Sequence, residues 1–79
     1  MDKNSQEYKK QLEEQLEWYK EQDSILEKIE TKLYQMKDLA EYALEHDLTT
    51  EEIDELNGQL NELKSEVHSL ENQLRSVVH

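Results

Sequence analysis

The chain has 79 residues, 34% of them hydrophobic, with one Gly, no Pro and no Cys. So short and polar a chain forms one domain at most and cannot enclose the sizeable core around which an enzyme builds a buried pocket. Its 20 acidic against 9 basic side chains leave a formal net charge of −11, which disfavours direct contact with DNA, RNA or an anionic membrane face and leaves basic protein partners open.

Abundant Glu, Leu, Lys and Gln are the composition of long helices, and the regular spacing of the apolar residues argues against disorder. The first helix is expected from near Ser5 to about His46. Leu12, Tyr19, Leu26, Leu33 and Ala40 recur every seven residues, and Tyr8, Ile29, Met36 and Ala43 fill the complementary positions at a three-residue offset. Two positions of that second row are polar, Gln15 and Gln22. Further apolar weight lies to the side, at Leu16, Trp18 and Ile25, and again at Leu39 and Leu44. An apolar face this broad contacts more than one neighbour.

A turn at about 47–49 follows. Thr49 and Glu52 have the spacing of a capping box, in which the Thr49 hydroxyl accepts from the Glu52 N–H and the Glu52 carboxylate accepts from the Thr49 N–H. Leu48 and Ile53 are placed for a hydrophobic staple across the same turn.

The second helix, about 50–77, carries the narrowest pattern in the chain. Ile53, Leu56, Leu60, Leu63, Val67, Leu70, Leu74 and Val77 alternate at spacings of three and four, which puts them on one stripe that must meet another helix. Folding back at the short turn places Ala43 opposite Ile53, Met36 opposite Leu60, Leu33 opposite Leu63, Ile29 opposite Val67, Leu26 opposite Leu70 and Tyr19 opposite Val77. A parallel dimer of the second helix is the competing arrangement. The capped turn beside two matching registers favours the hairpin.

The expected fold is therefore all-α: a single-domain antiparallel two-helix hairpin, coiled-coil-like, dimerising into a four-helix bundle. The start of the first helix projects beyond the second, and a short amphipathic stub frays in water unless something covers its apolar face. Tyr8, Leu12, Leu16, Trp18, Tyr19 and Ile25 are the expected partner-binding residues, toward a second copy or toward an apolar groove on another protein. Tyr34 and Tyr42, on outward rows, are further candidate contacts.

Nothing in the sequence marks catalysis, a cofactor or a metal. His46, His68 and His79 have neither HxxxH nor HExxH spacing, and without Cys there is no thiolate zinc site. From Asp38 to Glu55 the chain has no Lys or Arg. Glu41, Glu45, Asp47, Glu51, Glu52, Asp54 and Glu55 are candidates for docking on a basic surface, although most of this run reads as a solvated tip. It lacks the alternating ligands and central Gly of an EF-hand loop, and the carboxylates of the second helix suit the positive end of its dipole. Residues 1–10 are polar, unlike a signal peptide, and no apolar stretch is long enough to span a bilayer, so a cytoplasmic protein is expected. The function that follows is a non-enzymatic protein–protein interaction module, an adaptor, regulator or assembly factor. The alternative is an acidic inhibitor or nucleic-acid mimic that occupies a basic surface of its target.

Overall fold

The computed structural model describes residues 3–76, with side chains from 4 to 74. It consists of two helices, α1 (Lys3–Glu45) and α2 (Thr50–Ser76), packed against each other as an extended hairpin. At about 1.5 Å per residue the 43 residues of α1 make a rod of about 65 Å, and the molecule measures 70 × 19 × 11 Å. The long axis is thus α1 itself. Val77 and its expected pairing with Tyr19 lie outside the described residues, as does His79.

The turn forms as its sequence dictates. The Glu52 N–H donates to Thr49 Oγ1 at 3.2 Å, the Thr49 N–H donates to Glu52 Oε1 at 3.1 Å, and the Ile53 N–H donates to the Thr49 carbonyl at 2.9 Å. These bonds satisfy donors that the first turn of any helix leaves without intrahelical partners. Ile53, however, remains 45% exposed, and Leu48 is half-buried at a groove bordered by Leu39, Tyr42 and Leu56. Leu48 thus sits at a groove between the end of α1 and the second turn of α2. On the other side of the turn, His46 lies 2.9 Å through Nδ1 from the Tyr42 carbonyl, to which a protonated Nδ1 donates. Its ring also stacks on Tyr42, with centroids 4.1 Å apart. The last turn of α1, which has no basic residue to oppose the dipole, is closed by this histidine instead.

The seam of α2 is the expected one: Leu56, Leu60, Leu63, Val67, Leu70 and Leu74 are all half-buried. The seam of α1 is not. Gln22, Ile25, Ile29, Lys32, Met36, Leu39 and Ala43 are its covered positions, alternating at spacings of three and four. Gln22, Ile29, Met36 and Ala43 belong to the row that sequence periodicity places in the seam. Their companions are Ile25, Lys32 and Leu39, whereas Leu26, Leu33 and Ala40 are exposed; Trp18 continues the row outward and is half-buried beside an exposed Tyr19. The hairpin has thus chosen the other half of the broad face of α1. Lys32 explains how this row can serve: its ammonium reaches Glu66 Oε2 at 2.6 Å, so a half-buried charge in the row is met by a counter-charge from α2. The groove at the turn acts in the same direction, because Leu39, Leu48, Tyr42 and Leu56 meet on that side.

Candidate interaction surface

Burial separates the two rows of α1 and defines the site. Leu26 and Leu33, expected to face Leu70 and Leu63, are 52% and 51% exposed. With Leu12, Tyr19 and Ala40 they form a row at seven-residue spacing along one side of α1, next to the seam and not covered by α2. A seven-residue repeat stays on one face of a helix only with slow drift, so this is a continuous stripe. Among the described residues no apolar side chain is fully buried. The hairpin is a single seam with water on both sides.

The Lys32–Glu66 pair also shows where α2 ends relative to α1. Counting outward from it along antiparallel helices brings Ser76 beside Gln22, so about 28 Å of α1 extends past the described end of α2. Tyr8, Leu12 and Leu16 lie on this stretch, all exposed. Ile25, expected among the partner contacts, instead lies in the seam and is half-buried; Trp18, one turn before Gln22, lies on the projecting stretch and is half-buried there. The Trp18 ring meets the Tyr19 ring edge-on with centroids 5.2 Å apart, and Tyr19 itself points to the exposed row. Leu26, Leu33 and Leu44 are exposed as well. Sequence periodicity gave the first two a place in the hairpin and therefore no role in association.

Gln22 is a polar side chain in the seam, 9% exposed, and its Nε2 has no hydrogen-bond partner among the described residues. Such a group costs stability wherever the amide cannot find an acceptor. Its value in helical assemblies lies in penalising other registers. Glu66 Oε2 is likewise closed off from solvent, with the Lys32 ammonium as its counter-charge.

The acidic end is dispersed by comparison. Glu41 stands 3.9 Å from Lys37, one helical turn away, and Glu52 is committed to the cap. The Thr49 backbone N–H, then the Thr49 hydroxyl, hold the Glu52 carboxyl below the ordinary glutamate value. Glu45, Asp47, Glu51, Asp54 and Glu55 are exposed. No group of three or more His, Cys, Asp and Glu side chains suited to holding a metal ion occurs among the described residues. His68 is exposed and lies 3.8 Å from Glu71 on the same helix. Tyr34 is exposed, while Tyr42 stacks on His46 and borders grooves shared with Gln59 of α2. No described helix is long and apolar enough to cross a membrane.

No protein-family model matches the chain, and no curated protein or solved structure matches it.

Proposed function

We propose that the chain is a non-enzymatic protein–protein interaction module, of the adaptor, regulator or assembly-factor kind, that associates with itself through the exposed side of α1. The observation that carries this reading is the row Leu12, Tyr19, Leu26 and Leu33, apolar over about three heptads and left in water by a hairpin that uses the adjacent row. Surface area supports the same reading. A compact monomer of 9.5 kDa exposes about 5,000 Å², whereas this chain exposes 6768 Å². Two copies together carry an excess of about 3,400 Å², within the roughly 2,000–5,000 Å² buried by obligate homodimers.

Sedimentation equilibrium tests it. The expected result is a dimer at micromolar concentration that the double substitution Leu26→Ser and Leu33→Ser converts to monomer, since neither side chain belongs to the seam within one hairpin. A wild-type chain that stays monomeric and fully helical overturns self-association. A second reading, docking of the acidic end on a basic target, rests on the exposed Glu45, Asp47, Glu51, Asp54 and Glu55. The two separate by salt: an acidic contact weakens as the screening length shrinks, and an apolar seam does not.

A further inference from the structure

We infer that the occupant of the exposed row is a second copy of this chain running antiparallel, with the two-fold axis passing near Leu26. The inference rests on the self-association proposed above and adds its geometry. Leu26 is the middle member of Leu12, Tyr19, Leu26, Leu33 and Ala40, so an axis at this residue pairs Leu12 with Ala40, Tyr19 with Leu33 and Leu26 with itself across the two copies. Every member of the row then has a counterpart, and the small Ala40 faces the larger Leu12.

The two ends of α1 fit the same axis. At one end Tyr8, Leu12 and Leu16 project beyond the described α2; at the other, Leu44 is 88% exposed with nothing of its own hairpin to cover it. The antiparallel copy brings Leu44 level with Tyr8 and Lys9 and lays the projecting stretch along the partner's turn end, where two helices already stand. A parallel copy pairs the two stubs only with each other and leaves both Leu44 side chains on the outside. Packing of an apolar face is the main source of helix stability in water, so the arrangement that covers the stub along its length is favoured.

Charge points the same way. Between Lys37 and Lys64 the chain has no Lys or Arg, while Asp38, Glu41, Glu45, Asp47, Glu51, Glu52, Asp54, Glu55 and Glu62 are all acidic. A parallel pair sets two such ends side by side, within about one screening length at physiological salt. The antiparallel pair holds them apart by most of the length of the molecule, 70 Å. It also brings Lys9 of one copy between Glu41 and Glu45 of the other. Asp23 and Glu30 border the middle of the row and bring carboxylates together in either direction, so they do not choose between the two.

The chain contains no Cys, so introduced cysteines report directly on which residues face each other. Under mild oxidation Leu26→Cys should form a disulfide-linked dimer with itself. Leu12→Cys and Ala40→Cys should each fail to link alone and should link to one another when mixed. A second pair, Lys9→Cys with Leu44→Cys, uses exposed positions outside the intrachain seam and serves if the first pair weakens assembly. Disulfides require Cα atoms within about 7 Å, so a pair that is merely on the same side does not react. Self-linking of Leu12→Cys or of Lys9→Cys, in a chain that sediments as a dimer, overturns the antiparallel geometry and leaves self-association standing. Dimeric protein in which no pair links places the interface elsewhere and overturns the inference too. A monomeric wild type removes both.

Discussion

The ammonium of Lys32 stands 2.6 Å from the Glu66 carboxylate, and this contact marks the row on which α1 meets α2. Both side chains keep some exposure, 32% and 42%, so the pair is neither fully desolvated nor freely screened. A double-mutant cycle over Lys32→Ala and Glu66→Ala should show coupling of about 1 kcal/mol that shrinks in high salt. Zero coupling by chemical denaturation would mean that the bridge has no part in setting the register.

The capping box gives a prediction in pH. Because the Glu52 carboxyl is held below the ordinary glutamate value of 4.5, the folded chain binds this proton less readily than the unfolded one. Its contribution is therefore complete above that ordinary value and is lost as pH falls through the lowered folded one. The stability difference between wild type and Glu52→Gln should be constant near neutral pH and should narrow as pH falls below the ordinary glutamate value. Thr49→Ala should cost about 1 kcal/mol, with Thr49→Ser close to wild type. A pH-independent difference between wild type and Glu52→Gln would remove the carboxylate from the cap.

Gly58 lies inside α2, and a Cβ built on it meets nothing within 4 Å. Gly58→Ala should therefore raise stability by about 0.5–1 kcal/mol, through lower backbone entropy in the unfolded chain and better helix propensity. An unchanged or lowered denaturation midpoint would show that another surface packs against this outward face.

Much of the hairpin was legible in the sequence because its signals are local. Thr49 and Glu52 sit three residues apart and formed the cap, and α2 has one narrow stripe that leaves no choice of face. The seam on α1 was not legible. There Ile25 and Leu39 compete with Leu26 and Leu33 for the same partner, and periodicity ranks the second pair higher because Lys32 interrupts the first. What decides is nonlocal: a carboxylate on α2, Glu66, within reach of Lys32, and Leu48 at a groove with Leu39 and Leu56. Neither follows from the spacing within α1. Ile53 illustrates the converse, since periodicity assigned it to the seam and a staple, and its place at the outer first turn of α2 leaves it 45% exposed. The candidate surface moved with the seam: Tyr8, Leu12, Leu16 and Tyr19 are exposed, Trp18 is half-buried on the projecting stretch, Ile25 lies in the seam, and Leu26 and Leu33 join the exposed row.

The most direct test is an isotope-filtered NOE experiment on a mixture of carbon-13-labelled and unlabelled wild-type chains, in which only contacts between copies give signals. Cross-peaks between the Tyr19 ring and Leu33 methyls of different copies, together with Leu26 methyls meeting across copies, are the expected result. Intermolecular peaks confined to Leu60, Leu63, Val67 and Leu70 would instead show α2 pairing with itself and would contradict the account.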